Sequence, residues 1–260
     1  MKYLFDKVDS FHLSDLKNPT HPSIFIEEET YDILIIALPK RDEKQTIVSY
    51  AFVFDAQSYY YFDKESGEFV NFETMQKVYE FLNEKTNQTM KMVANIHESI
   101  DEMEEKLYDN AYSSHFMHYW LKNKKDLSRI NRILTLGDEV LGLFIERYLK
   151  DENFLDIHFR DIHEHFSRTN RSALLAIDKL NNLYNFYTSR NNEKMNKTIY
   201  LLTIFSGIFL PLHLIVGYFG MNTQGLPFDG IPYATSLVSI VMASCAFGMT
   251  MVILFFKKRL

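Results

Sequence analysis

The sequence predicts an α+β domain leading into a long helix that continues as the first of two C-terminal membrane spans. Three observations carry this. Strand-like runs and alternations fill the first stretch of about 70 residues, apolar residues then recur every three or four, and two uncharged runs of membrane length follow.

The strands come first. Ile33-Leu34-Ile35-Ile36 is a run of the buried type, Thr46, Val48, Tyr50, Phe52 and Phe54 alternate along one face, and Tyr59-Tyr60-Tyr61-Phe62 offers another strand. The period then changes. Phe72, Met75, Tyr79 and Leu82 mark one helix, Val93, Ile96, Ile100, Met103 and Leu107 a second, and Ile130, Ile133, Val140, Leu141, Phe144 and Tyr148 a third. The acidic side of the second, Glu98, Asp101, Glu102, Glu104 and Glu105, reads as a solvated face.

After Leu155 nothing interrupts the helical pattern until Gly220, with Ala173, Ile177, Leu180, Tyr184 and Tyr187 keeping the three-four alternation. A single helix of about 65 residues would be near 100 Å long and cannot be stable alone, so the sequence predicts packing against other helices or further copies.

Thr198 to Phe256 contains no Lys or Arg and one acidic residue, Asp229. Two spans fit within it, 198–219 and 233–256, each long enough for a hydrocarbon core of roughly 30 Å, separated by a Gly- and Pro-containing loop over 220–232. Arg190, Lys194 and Lys197 precede the first span and Lys257, Lys258 and Arg259 follow the second, whereas the loop has no basic residue. The positive-inside rule therefore places both ends of the hairpin in the cytoplasm, with the chain crossing the cell membrane twice. The first residues lack the apolar core of a secretory signal, so the N-terminal part is expected to stay in the cytosol. The expected organisation is a cytoplasmic α/β domain with a helical part over 1–155, a stalk helix over 156–197, the two spans with their loop, and a basic tail over 257–260.

A net charge of −6 with no evident basic face argues against nucleic acid as a partner. The single cysteine, Cys245, lies in the second apolar run and excludes a cysteine-based zinc site within one chain. No phosphate-binding glycine loop or nucleophile elbow is present, and Asp161-Ile162-His163-Glu164-His165 fits neither His-Glu-x-x-His nor its inverted form, so an enzyme is not expected.

Three stretches resemble the CorA-type magnesium transporters. Tyr218-Phe219-Gly220-Met221-Asn222 looks like that family's Tyr-Gly-Met-Asn signature with one substitution, placed where the first span ends. Leu202 to Leu212 is similar to the family's first span, and Phe159-Arg160-Asp161-Ile162-His163-Glu164-His165 resembles its Phe-Arg-Asp stretch at the start of the stalk. The resemblance implies a funnel-shaped homopentamer that passes divalent cations, Mg²⁺ foremost and Co²⁺ or Ni²⁺ besides, with the first span lining the pore. Gly220, Met221 and Asn222 would form the ion entry, where five Asn222 amides hydrogen-bond a hydrated ion rather than strip it.

Below that ring the same helical face carries His213, Leu210, Ser206, Leu202, Ile199 and Asn196. The family match makes Ile199 and Leu202 a hydrophobic constriction and Asn196 a second polar ring. It also implies regulatory Mg²⁺ bound between neighbouring cytosolic domains, with Asp161 and His165 as contributors; His158 lies three residues earlier on the same side.

Two features depart from the magnesium pattern. His213 stands where the family usually has Thr, and a histidine inside a span is a functional suspect, able to bind a softer metal such as Zn²⁺ or to repel cations when protonated. The loop Thr223-Gln224-Gly225-Leu226-Pro227-Phe228 lacks Met-Pro-Glu, leaves Asp229 as its only acid, and is partly similar to the ZntB branch, associated with proton-coupled zinc transport. A non-conducting, membrane-anchored metal sensor or scaffold is the alternative of a different class.

Overall fold

The computed structural model describes residues 2–40, 46–55, 58–109, 115–221, 227 and 230–257. The chain divides into two compact units, Met1–Asn185 and Phe186–Leu260.

In the first unit five strands form an antiparallel sheet in sequence order: β1 (Ile24–Glu27), β2 (Asp32–Pro39), β3 (Ile47–Asp55), β4 (Ser58–Asp63) and β5 (Glu68–Asn71). The register sets Ile33 opposite Val53 and Phe52 opposite Tyr61. β2, the strand read from its unbroken apolar run, is buried at all eight positions. Both faces of the sheet are therefore covered, and in β3 Ala51 and Val53 are buried opposite the face that carries Phe52 and Phe54.

The covering of one face is the part that sequence periodicity does not reveal. Helices α1 (Lys2–Lys7) and α2 (Ser10–Lys17) and the link between them place Leu4, Leu16 and Val8 against Ile33, Ile35, Ala51, Val53 and Phe62. Each is too short for a three-four pattern to stand out, although Asp9 caps α2 by accepting the Phe11 N–H at 2.8 Å. The other face packs aromatic on aromatic: Phe52 meets Phe81 at 5.8 Å, and Phe54 meets Phe144 at 5.1 Å and Tyr148 at 5.6 Å.

Those partners stand on longer helices. α3 runs from Met75 to Tyr108 and α4 from Phe116 to Tyr148. The two helices expected over 72–107 are one, because Asn83 to Met90 contains neither Gly nor Pro and Thr86 and Thr89 are buried with their hydroxyls on the Leu82 and Lys85 carbonyls. Phe72 precedes that helix; Glu73 enters it at φ +57, held by its N–H on Asn71 Oδ1 and its carboxylate on Lys77. The acidic side of α3 is largely engaged: Lys179 bridges Asp101 and Glu104 at 2.7 and 2.5 Å, holding the Asp101 carboxyl below its usual range, and Lys106 pairs with Glu102.

The long helix expected from residue 156 is α5, Asp156–Phe219. Within the first unit its Phe159, Ile162, Phe166, Ala173, Ala176 and Leu180 are buried. Phe159 meets Phe144 at 5.3 Å, and a Cβ at Gly137 of α4 would come within 2.6 Å of Phe166. A glycine is needed there for α4 to admit the ring.

In the second unit, Phe186 to Phe219 of α5 accompanies α6 (Ala234–Lys257). α5 stays helical through Pro211. Two helices, Asp156–Phe219 and Ala234–Val252, contain stretches long and apolar enough to cross a membrane, and none of either stretch is buried.

Candidate ion-pathway helix and its Asp–His pair

The burial pattern of α5 separates two sides in the second unit. Ile204, Ile208, Pro211 and Ile215 are half-covered, at spacings of four, three and four, and α6 shows a matching set in Val238, Met242, Cys245 and Met249. Such periodicity is what two helices produce along a shared seam. Ile199, Leu202, Ser206, Leu210 and His213 fall on the far side of α5 from that seam, with Asn196 about a quarter-turn from it, and all six are exposed, Ile199 at 52%, Leu202 at 66% and Leu210 at 69%. A column of bulky apolar residues facing outward, broken by Asn196, Ser206 and His213, is the face the sequence singled out.

Three hydroxyls within the apolar stretches of this unit are satisfied by their own helices: Thr203 donates to the Ile199 carbonyl at 2.9 Å, Ser239 to that of Thr235 at 2.9 Å and Thr250 to that of Ala246 at 2.8 Å. A bilayer imposes that condition, since lipid offers the hydroxyl no partner.

Gly220 ends α5. Its N–H closes the last turn on the Val216 carbonyl at 2.9 Å, and a Cβ there would stand 2.9 Å from that same oxygen. Close approach, rather than a left-handed backbone, is what requires glycine at this position. Met221 follows, exposed, with its N–H 3.5 Å from the Tyr218 carbonyl. Asn222, the residue expected to meet the ion, lies outside the described residues, as do 223–226 and Asp229, on which the reading of the outer loop rests. His213 borders a cavity of about 700 Å³ with Ser206, Phe209, Leu210, Val216 and Met242 of α6.

In the first unit, Asp161 and His165 come together as their spacing predicts, with Nε2 of His165 3.7 Å from Oδ1 of Asp161. Nδ1 of His165 is buried without a hydrogen-bond partner among the described residues. His158 does not join them: its ring lies edge-on to Tyr79 of α3 at 4.9 Å. Proximity on a helical wheel was outweighed by an aromatic contact with a different helix. Among the described residues no three acidic, histidine or cysteine side chains converge on a metal position.

Two polar clusters were not anticipated. Asp138 of α4 lies 3.3 Å from Nε2 of His163 and accepts the Ser167 hydroxyl at 2.6 Å, fastening α4 to α5. At the start of β2, Asp32 accepts the Tyr148 hydroxyl at 2.8 Å. Only tertiary contact reveals either, because the partners are far apart in sequence; the His163–Ser167 spacing of four was the one local hint.

Residues 73–259 match the family model described as CorA-like Mg²⁺ transporter protein. The chain belongs to this family. Among curated relatives, YfjQ of Bacillus subtilis is 26% identical over 172 residues, covering 66% of this chain and 54% of that protein. The cobalt/magnesium transport protein CorA of Methanocaldococcus jannaschii is 28% identical over 172 residues, covering 64% and 52%. The chain thus spans about half the length of the curated relatives it matches. The complete structure of the M. jannaschii CorA magnesium transporter shares the fold, with a TM-score of 0.80 at 20% identity over 96% of this chain and 85% of that one. The CorA match takes in α3 to α6 and leaves the sheet outside the family model.

Proposed function

We propose that this CorA-family chain is the subunit of a membrane channel for divalent cations, with Mg²⁺ as its main cargo, and that five copies surround the exposed face of α5. The observation that carries this is the outward column of Ile199, Leu202 and Leu210, punctuated by Asn196 and Ser206 and ending at Gly220-Met221. In this reading 198–219 lines the pore and 233–256 is the second span, both crossing the cell membrane with the basic flanks inside. Ile199 and Leu202 close the path by dewetting, and Asn222 and Asn196 form polar rings that hold the ion through its water. The stalk over 156–197 carries the Asp161–His165 pair, which, completed by an acid from a neighbouring subunit, senses cytosolic Mg²⁺ and gates the pore; Co²⁺ and Ni²⁺ are further cargo. Entry is driven by the membrane potential, worth roughly 2.3 kcal/mol per charge per 100 mV.

A second reading, proton-coupled Zn²⁺ transport, is favoured by one observation: His213 is a titratable, metal-binding ring on the exposed face of an apolar helix. The test is flux of Mg²⁺ and of Zn²⁺ into liposomes holding the purified protein, with and without a pH gradient. Mg²⁺ flux that survives loss of the gradient and disappears in Asn222→Ala supports the channel. Zn²⁺ flux that needs the gradient, and loses that need in His213→Thr, supports the second reading. Flux of neither ion leaves a membrane-anchored sensor.

A further inference from the structure

A polar cavity of about 430 Å³ opens in the first unit where the β1–β2 turn, the end of β3, the start of β4 and the end of α4 meet. Five acids line it, Glu28, Glu29, Asp32, Asp55 and Asp151, against two bases, Arg147 and Lys150. Lys7 matches Asp55 at 2.8 Å from outside the lining, and acids still outnumber bases. The C-terminus of α4, at Tyr148, adds the negative end of a helix dipole.

Asp32 distinguishes this cavity from a merely acidic surface. Its side chain is 7% exposed. One oxygen, Oδ2, accepts the Tyr148 hydroxyl at 2.8 Å and lies 3.6 Å from Nε of Arg147, which sits closer to Glu27 at 3.1 Å. The other, Oδ1, is buried and has no hydrogen-bond partner among the described residues. Tyr148 cannot serve both: burial, reinforced by the bond to Asp32, raises its pKa, so it remains a phenol with a single proton to donate. A buried carboxylate oxygen left unmatched is costly, and the groups around it supply more negative charge than positive.

We infer that this cavity binds a divalent cation, with Asp32 as its one direct protein ligand and the neighbouring acids holding it through its water. No three acidic or histidine side chains among the described residues converge to cage a bare ion, which suits Mg²⁺, an ion that keeps several waters and takes one or two carboxylates. The terminal torsion of a carboxylate is broad, so a small rotation of the whole group presents Oδ1 to the ion, and the Tyr148 hydroxyl follows Oδ2 by turning about its own C–O bond. The bound ion ties the β1–β2 turn to the end of α4. This site is separate from the Asp161–His165 pair and goes beyond the transport reading.

Mn²⁺ is the probe, counted on the full-length protein in detergent by loss of the free-ion paramagnetic resonance signal. Asp32→Asn, which can still accept the Tyr148 hydrogen bond, is expected to bind one Mn²⁺ fewer per chain than the parent. Asp161→Asn with His165→Gln should keep that ion. Equal counts in the parent and Asp32→Asn overturn the site and mean that water alone meets Oδ1. Should Asp32→Asn fail to fold by circular dichroism, Glu28→Gln with Asp151→Asn, both outside the core, is expected to weaken Mn²⁺ binding at this site at least fivefold in the Asp161→Asn/His165→Gln background; unchanged binding there overturns the site equally. A count of bound ions is independent of flux, so a protein that conducts nothing can pass this test and a working channel can fail it.

Discussion

The two units of this chain treat apolar side chains in opposite ways. From Met1 to Asn185, Phe52, Phe62, Phe144, Phe159 and Phe166 are all but fully buried, whereas from Phe186 onward Leu202, Phe205, Phe209 and Leu210 are each more than half exposed. The residue types are the same and the difference is the solvent each unit is built for. In water, burial of apolar area is the dominant favourable term of folding. In lipid an exposed leucine costs nothing, while an unmatched polar group does, which is why the hydroxyls of Thr203, Ser239 and Thr250 turn back onto their own helices.

Truncating one aromatic in each unit tests that contrast most severely. Phe144→Ala, which removes the ring shared by Phe54, Tyr148, Phe154 and Phe159, is expected to cost about 3–5 kcal/mol. Phe209→Ala should leave the unfolding of the first unit unchanged. Thermal unfolding of the full-length protein in detergent reads both, and equal losses would break the comparison.

A charge placed in the second unit sharpens it by face. Phe205→Asp puts a carboxylate on the flank of α5 and should disfavour insertion by about 2.5–3.5 kcal/mol, the cost of an acid at the centre of a span. Ser206→Asp, one residue on and on the proposed water-lined face, should insert nearly as well as the parent. Membrane-integrated yield decides it, and parity between the two variants would remove the assignment of that face.

Close packing in the first unit makes even a methyl group felt. Gly137→Ala brings a Cβ to 2.6 Å from the Phe166 ring and should destabilise by about 1–3 kcal/mol. Gly207→Ala, where nothing stands within 4 Å of the added carbon, should be silent.

The smallest expected effect is one of pH. Burial lowers Lys64 from 10.5 to about 8, so across that interval the folded protein binds fewer protons than the unfolded chain. Stability contributed by this group therefore rises with pH between about 8 and about 10.5, its penalty being full below the folded value and relieved above it. Lys64→Gln should flatten that rise in unfolding curves taken at successive pH values. An unchanged slope would show that the Lys64 contacts to the Asn18 carbonyl and the Ser49 hydroxyl offset its burial.

Much of this architecture could be read in advance because it depends on local repetition. The run Ile33–Ile36 is fully buried in β2, Phe52 and Phe54 do share a face, and the unbroken pattern from Leu155 to Gly220 is one helix. What escaped was short or nonlocal. α1 and α2 are too brief to show a period, and β1 and β5 have four residues each. His158 shows the same limit within the candidate site: the helical repeat places it beside Asp161, and Tyr79, far away in the chain, takes its ring.

The sequence by itself determined that α5 continues into an uncharged span, that a second span follows, and that Gly220 marks the end of the first, because hydropathy, charge and helical period act over neighbouring residues. Only the tertiary structure decided that both faces of the sheet are covered, that Asp161 and His165 pair without His158, and that Asp32 meets Tyr148 across 116 positions of chain. Those outcomes depend on which distant side chains compete for the same space and the same hydrogen bonds, a competition that exists only once the chain has folded.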